Sequence, residues 1–343
     1  MADTPSQRIT ISDVAREAGV SRTTVSHALN GRGQVDPATR LKVEEAARSL
    51  GYRPNRHAQR LRTGGASMIA LMSSMPFTVS GGPSRLGFFM EVAAVAASSA
   101  LERGLVMALV PPHKPGQTSL NLLDIDGALV IEPQAGDPQL AELLQQGLPV
   151  VSIGRPGGDH VNVPYVDLLS GPATQMLLTH MLAAGARQIG LVVGASERTS
   201  YSQAEQAYAA MAAGHGMRPV VLRMDEAEGE DGGHAAAQQL LSEHPKLDAL
   251  LVMVDAFAVG AARYAQQAGL RIPEDLMLAT RYDGLRARSC EPPLTALDLH
   301  LEDIAQQAVD LLFEHLRGDT TRRVATGPLP ALALRRSTQR KPG

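Results

Sequence analysis

From about residue 66 onward, short apolar runs alternate with helical stretches, and this alternation constrains the fold more than any other feature. Many of the helical stretches end at a glycine, such as Gly104 or Gly269, where a helix terminates readily. Strands that alternate with helices form parallel sheets covered by helices. The strands are too many for one comfortable sheet, so we expect two similar α/β halves. The expected strands are 68–72, 105–110, 128–131, 150–153, 189–193, 220–222, 250–254 and 276–279.

The first part of the chain has a different pattern. Residues 10–30 read TISDVAREAGVSRTTVSHALN, which predicts two short helices joined by a tight turn. Thr10 and Asp13 have the spacing of a capping box, so Thr10 can begin the first helix. Gly19 tolerates the left-handed backbone of a sharp turn, and Ser21 is a good N-cap for the second helix. This layout is a helix-turn-helix, whose second helix enters the major groove of DNA.

Charge is distributed unevenly between these two parts. Residues 1–63 hold 11 Arg and Lys against 6 Asp and Glu, whereas the rest of the chain holds 21 against 29. The first part is therefore net basic and the remainder net acidic. This asymmetry is typical of a protein that contacts a polyanion at one end only.

The segment from Ile11 to Leu61 resembles the N-terminal region of the LacI (lactose-repressor) family of transcription regulators. The resemblance rests on ISDVAREAGVSRTTVSHALNG, on the third helix that Asp36 and Pro37 begin, and on the Tyr52-Arg53-Pro54-Asn55 sequence after it. Looser matches, such as IDGALVIEP, AAGARQIGLVVG and LPALALRRST, follow in the family's order. The family implies a homodimer. No leucine heptad tail follows, so nothing predicts a tetramer.

The residues and the resemblance together predict a small all-α helix-turn-helix DNA-binding head. It is followed by a two-lobed α/β body that resembles the type I periplasmic binding proteins, with a ligand cleft between the lobes. We expect the head over 1–53, a hinge helix and linker over 54–65, and the body over 66–338. The first lobe should comprise about 66–164 plus about 299–326, and the second about 165–298 plus about 327–338.

One face of the second helix has the chemistry needed to read base edges. With Arg22 placed at zero, Ser26, Thr23 and His27 lie at about 40°, 100° and 140° around the helix. Arginine suits guanine, and hydroxyl or imidazole groups suit mixed edges. The family also reads bases with the positions of Arg22, Thr23 and His27. Short polar side chains near helix ends favour phosphate contacts, and here these are Thr10, Ser21, Thr24 and Asn30.

The segment from Asn55 to Arg62 is too short for a stable isolated helix. The resemblance implies a hinge helix that forms on DNA and inserts a leucine into the minor groove. Leu61 matches that leucine, and Asn55 and Ala58 match neighbouring contacts. A leucine wedge unstacks one base step and bends the duplex. Without the resemblance, a plain linker would explain these residues equally well.

The cleft of the body matches the family less closely. Asp255 and Asp283 match ligand-binding acids, although Asp283 needs a shifted spacing, and Phe88 and Tyr201 lie near positions that face the ligand. The family's usual arginine on the helix after Gly194 is missing. Carboxylate acceptors suit a ligand rich in hydroxyl donors, and the missing arginine disfavours an anion. We therefore expect an uncharged, sugar-like effector.

The leading interpretation is a repressor that binds double-stranded palindromic DNA as a dimer and responds to a small molecule. The alternatives are a regulator of the same fold with a non-sugar effector or none, a ligand receptor that does not bind DNA, and a doubly wound α/β enzyme. The enzyme is disfavoured because the chain lacks GxGxxG, Walker and GxSxG motifs.

Cofactors, metals and membranes are not expected. The single cysteine, Cys290, and the scattered histidines predict neither a metal site nor a cofactor site. The polar start and the absence of a long apolar run predict a soluble, cytoplasmic protein with no membrane segment.

Overall fold

The computed structural model describes residues 10–29, 35–50, 52, 67–80, 87–110 and 124–340. The chain divides into two compact units, Met1–Gly65 and Ala66–Gly343, which are called the head and the body below.

The head consists of helices α1 (Ile11–Ala18), α2 (Arg22–Leu29) and α3 (Pro37–Ser49). Gly19 ends α1 with a φ of 68°, so the predicted left-handed turn is confirmed. The Asp36 carboxylate accepts a hydrogen bond from the Thr39 backbone N–H at 3.1 Å and so caps α3. Small apolar side chains pack the three helices together, and the buried ones are Val14, Ala15, Ala18, Val25, Ala28, Val43, Ala46 and Ala47.

The first lobe of the body is a six-stranded parallel sheet. Residues of its strand β1 alternate between two faces: Ile69 and Leu71 join one apolar cluster, and Ala70 and Met72 join another. In spatial order the strands are β2 (Leu105–Val110), β1 (Ser67–Ser73), β3 (Gly127–Ile131), β4 (Val150–Ile153), β5 (Tyr165–Asp167) and β11 (Val324–Thr326). The helices of this lobe are α4 (Phe77–Ser80), α5 (Phe88–Glu102), α6 (Pro138–Gln145) and α12 (Leu301–Leu316).

The second lobe repeats this plan with a six-stranded sheet that is parallel except for its last pair. Its strands lie in the order β7 (Val221–Met224), β6 (Ile189–Gly194), β8 (Ala249–Val252), β9 (Met277–Tyr282), β10 (Thr295–Asp298) and β12 (Ala331–Ala333). Its helices are α7 (Ser170–Ala183), α8 (Thr199–Gly214), α9 (Gly229–Glu243), α10 (Asp255–Gln267) and α11 (Leu285–Ser289).

Helices α9 and α10 approach each other closely enough to require glycine. A Cβ at Gly260 would lie 1.9 Å from the Glu230 carbonyl oxygen, and one at Gly233 would lie 2.0 Å from the Phe257 carbonyl oxygen. This packing fixes the N-terminus of α10, where Asp255 is the first residue.

The chain first crosses between the lobes at Leu169 and crosses back at His300. Both are non-glycine residues with left-handed backbone, at φ 51° and 53°. Each backbone N–H donates to the aspartate two residues earlier, Asp167 or Asp298, at 2.9 and 2.8 Å. Left-handed backbone is costly outside glycine, so the local aspartate bonds help to hold these two crossings in place.

The expected two-lobed α/β architecture is confirmed, and the eight expected strands overlap β1–β4 and β6–β9. The sequence patterns did not reveal β10, nor β5 and β11, which have three residues each and lie at one end of the first sheet. Because β5 belongs to the first sheet, that lobe extends to Asp167, slightly beyond the expected boundary near 164.

Candidate functional site

The outer face of α2 carries the side chains that the sequence analysis selected for base recognition. Val25 and Ala28 are buried against the other head helices, whereas Arg22, Thr23 and His27 are exposed. Ser26 is half-buried and takes part in an interaction within the chain. The helix therefore presents a guanidinium, a hydroxyl and an imidazole to its surroundings on a rigid, packed support.

The hydroxyls chosen for phosphate contacts also organise the helix ends. Thr10 donates from its hydroxyl to the Asp13 carboxylate at 2.7 Å, and its backbone N–H donates to the same carboxylate at 2.9 Å. Ser21 Oγ accepts from the Thr24 N–H at 3.0 Å and lies 2.8 Å from Thr24 Oγ1. Because the Ser21 and Thr24 hydroxyls share one hydrogen bond, one of them can still donate its proton to a phosphate. The Thr10 hydroxyl could do so only after its hydrogen bond to Asp13 is broken.

Four residues predicted to contact DNA lie outside the described residues. They are Asn30 and the three residues of the expected hinge, Asn55, Ala58 and Leu61.

The body contains a largely apolar cavity between its two lobes. The first lobe contributes apolar side chains such as Met75, Val79 and Phe89, and the second contributes Met253 and Val254. Three residues selected from the sequence also line this cavity, namely Phe88, Tyr201 and Asp255. Phe88 meets the ring of Tyr282 edge to face, with 5.3 Å between the ring centres.

Two phenols in the cavity keep their protons at neutral pH. Burial raises the pKa of Tyr201, and the nearby Glu226 carboxylate raises it further. Burial also raises the pKa of Tyr282, whose hydroxyl donates to Glu91 of the first lobe. Within the described residues the Tyr201 hydroxyl has no hydrogen-bond partner, although the residue is only 2% exposed. It remains available to donate to a ligand.

Asp255 is engaged on one carboxylate oxygen. That oxygen accepts from the Ala256 N–H at 2.8 Å and from Arg286 at 3.3 Å. Burial raises the pKa of the Asp255 carboxyl, and the Arg286 guanidinium opposes this shift. Arg286 also crosses to the first lobe, where it donates to the carbonyl oxygens of Thr78 at 2.7 Å and Val79 at 3.0 Å.

Two further ion pairs lie inside the cleft, and the sequence patterns missed both. Arg281 of β9 donates to Glu132 of the first lobe at 2.9 Å, and Arg198 donates to Glu226 at 3.0 Å. Arg198 also reaches the first lobe, where it donates to Ser74 Oγ at 3.0 Å and to the Glu132 carbonyl oxygen. Helix α8 contains no arginine, but arginines from other positions enter the cleft. The lack of an arginine on α8 therefore does not exclude an anionic ligand.

Asp283, which was also predicted to contact the effector, lies next to the wall of this cavity in the sequence, and its effector role stays a prediction. It does not belong to the lining of the cavity, and its carboxylate lies 2.9 Å from Arg335 and 3.3 Å from Arg288. The cavity wall holds its neighbours Arg281 and Tyr282 instead.

No helix in the described part of the chain is long and apolar enough to cross a membrane. Among the described residues, no three His, Cys, Asp or Glu side chains are grouped so that they could hold a metal ion.

Comparison with known families gives two matches. Residues 10–55 match the family described as bacterial regulatory proteins, lacI family. Residues 178–338 match the periplasmic binding protein-like domain.

Similar proteins span almost the whole chain. The transcriptional regulator CelR of Thermobifida fusca is 31% identical over 324 residues, which cover 92% of this chain and 94% of CelR. The transcriptional repressor PurR of Erwinia tasmaniensis is 28% identical over 340 residues and 96% of each chain. These relatives are transcriptional regulators and not enzymes.

Solved structures agree with this picture. The complex of the regulator CelR with cellobiose has a TM-score of 0.67 and 28% identity, and the match covers 96% of this chain and 100% of the CelR chain. The lac repressor dimer bound to operator and the anti-inducer ONPF has a TM-score of 0.68 at 24% identity, covering 97% of this chain and 99% of that one. The second likeness supports the fold alone.

Proposed function

Because the chain belongs to the LacI family of bacterial transcriptional regulators, we propose that it represses transcription as a homodimer bound to a palindromic operator. The observation that carries the proposal is the outer face of α2, where Arg22, Thr23 and His27 are exposed on a helix whose inner side is packed. Such a face can enter the major groove without any rearrangement of the head. The protein acts in the cytoplasm, where its operator lies.

A homodimer accounts for apolar surface on the first lobe. Leu101 at the end of α5 is 71% exposed, and Val106 and Leu109 on the adjoining strand β2 are each 44% exposed. Within the described residues, β2 pairs only with β1, so its other edge is open to a partner. Exposed apolar residues on a sheet edge are typical of a protein interface, and a second copy is the usual partner. Sedimentation at micromolar concentration should give a dimer, and a monomer would contradict the proposal.

The cavity between the lobes is the proposed effector site. The charges in and around the cavity are balanced, because three arginines pair with three acids as Arg198–Glu226, Arg281–Glu132 and Arg286–Asp255. A net charge on the ligand would upset this balance in a largely apolar site, so an uncharged effector fits best. The likeness to CelR, which forms a complex with cellobiose, favours a sugar.

The hinge is proposed to act as the family resemblance implies, with Leu61 inserted into the minor groove at the operator centre. Replacing it by alanine should weaken specific binding and reduce DNA bending, because the wedge that unstacks the base step is gone. Nonspecific binding at low salt should survive, since it depends on charge. A gel-shift permutation assay measures the bend, and an unchanged bend with Leu61→Ala would remove Leu61 from the mechanism.

The coupling between the two sites can be tested with the purified full-length protein and its operator. A bound neutral saccharide should change operator affinity about 5- to 150-fold, because it prefers one arrangement of the lobes. Mobility-shift titrations with and without the saccharide measure this factor. Operator binding that no saccharide changes would leave the DNA-binding role intact and contradict effector control.

A further inference from the structure

A single helical turn separates the apolar cavity from the surface of the body on one side. This turn is α4, which follows β1 in the first lobe. Val79 of the turn is only 7% exposed and lines the cavity, whereas the preceding residue, Thr78, is exposed. Movement of α4 out of its place would therefore open the cavity to the outside.

The turn belongs to the first lobe in the chain, but contacts with the second lobe hold it. The Thr78 hydroxyl donates to the Glu226 backbone carbonyl oxygen at 3.0 Å. Arg286 of α11 donates to the carbonyl oxygens of Thr78 at 2.7 Å and of Val79 at 3.0 Å. Thr78 also packs against the backbone of Gly229, where an added Cβ would lie 3.2 Å from the Thr78 Cβ. A turn of four residues is too short to be stable alone, so these contacts keep it in place.

Arg286 is positioned to act as a latch for this turn. Its side chain is only 9% exposed, and its guanidinium lies 3.3 Å from the Asp255 carboxylate at the start of α10. The ion pair directs the guanidinium at the end of α4, where backbone carbonyl oxygens have no acceptor role within the helix. An arginine can satisfy such carbonyl oxygens with its several N–H groups, which lie in one plane.

Release of this turn is a smaller step than separation of the two lobes. It breaks only the three hydrogen bonds that hold α4, and the chain before α4 stays anchored because the Ser73 hydroxyl donates to the Ile131 carbonyl oxygen at 3.3 Å. Separation of the lobes must also break the buried ion pair of Arg281 with Glu132. Breaking a buried ion pair costs more than breaking a hydrogen bond to a neutral carbonyl group.

We propose that α4 is a lid on the cavity, that Arg286 is its latch, and that a ligand enters when this turn is released while the two lobes stay together. Arg286 is thus a positioning residue, because it acts through α4 and not by contact with the ligand. The inference rests on the proposed function, in which this cavity is the effector site.

Hydrogen exchange of the full-length protein, without DNA or ligand, tests the lid. Arg286→Lys keeps the positive charge but loses the planar fork. Exchange in the peptide that contains Val79 should become about tenfold faster. Exchange at Ala135 should not change, because its N–H donates across the lobes to the Glu197 carbonyl oxygen at 2.8 Å and reports separation of the lobes.

A control and a second variant accompany this measurement. Arg263 of α10 pairs with the exposed Asp231, and Arg263→Lys should exchange like the wild type. Thr78→Val leaves every charge in place and removes the hydrogen bond to Glu226, so exchange in α4 should become about fivefold faster. Unchanged exchange of α4 in both variants would overturn the lid. Equal increases in α4 and at Ala135 would also overturn it, because the lobes would then separate as a whole.

Oxidation by hydrogen peroxide tests whether the lid controls access to the cavity. Met253 lines the cavity and is 5% exposed, whereas Met277 of β9 is fully buried and does not belong to the lining. With Arg286→Lys, sulfoxide should form about tenfold faster at Met253 and at an unchanged rate at Met277, as measured by peptide mass spectrometry. Faster exchange of α4 without faster oxidation of Met253 would overturn the role of α4 in entry. These measurements use neither DNA nor a saccharide, so the operator and the effector are tested separately.

Discussion

At the scale of single residues, recognition depends on which side of a helix is buried. Val25 and Ala28 fill the core of the head, and this packing turns Arg22 and His27 outward on α2. Rotation of the helix by half a turn would bury the polar face and expose the apolar one. The packing therefore sets which side chains can reach base edges.

Arg22→Ala should weaken operator binding by about 1–3 kcal/mol and relax the base preference at one position in each half-site. The reason is that a guanidinium can donate two hydrogen bonds to the edge of one guanine. Competition binding to operators changed at single positions measures this preference. Arg48→Ala, which removes an exposed arginine of α3, is the control and should keep the preference. A uniform loss on all DNA with Arg22→Ala would mean that Arg22 contacts only phosphate.

Site residues that belong to a local sequence motif could be predicted from the sequence, whereas ion pairs between residues far apart in the chain could not. Phe88, Tyr201 and Asp255 were selected from local motifs, and all three line the cavity. Glu132 and Arg281 are 149 residues apart in the chain, and only the packing of the two lobes against each other brings them together. The sequence patterns did not reveal Arg198, because it precedes α8, whereas the family resemblance places an arginine on the helix itself.

At the scale of elements, the capping of α1 is a local device that the sequence predicts well. Thr10 and Asp13 form the expected box, and its hydrogen bonds lower the pKa of the Asp13 carboxyl below its usual 3.8. The very short strands β5 and β11 lack enough residues for a pattern, so they depend on the neighbouring sheet for their structure.

Asp13→Ala should reduce the hydrogen-exchange protection of α1 at pH 7, because Thr10 loses its acceptor. Since the pKa is lowered in the folded state, the stabilisation is present above pH 3.8 and is lost as pH falls through the folded value. The difference from the wild type should thus persist from neutral pH down to about pH 5. Glu17→Ala, at an exposed position of α1, should change nothing. A difference that already disappears near the pKa of histidine would contradict this account.

At the scale of the whole molecule, the two lobes are held together by polar contacts that the chain itself supplies. Arg198, Arg281 and Arg286 all reach from the second lobe to the first. Local hydrogen bonds hold the backbone at the crossings Leu169 and His300. A movement of one lobe relative to the other must therefore break the contacts of the three arginines. A ligand that stabilises or disrupts them shifts the balance between arrangements.

Glu132→Gln should favour separation of the lobes, because it leaves the Arg281 charge buried without a partner. Small-angle scattering should show a larger radius of gyration, and the double variant with Arg281→Gln should recover most of the compactness. The exposed pair Arg223 and Glu205 is the control, since its loss should cost less than about 1 kcal/mol. An unchanged radius of gyration with Glu132→Gln would show that the pair of Glu132 and Arg281 does not hold the two lobes together.

The central claim, that this chain reads an operator as a symmetric dimer through α2, is tested most directly by selection from random-sequence DNA. The purified full-length protein should enrich an inverted repeat whose half-sites carry a guanine that becomes dispensable with Arg22→Ala. The repeat should also have a central step that unstacks easily, which the hinge leucines require. Enrichment of a direct repeat, or of no motif at all, would contradict the claim.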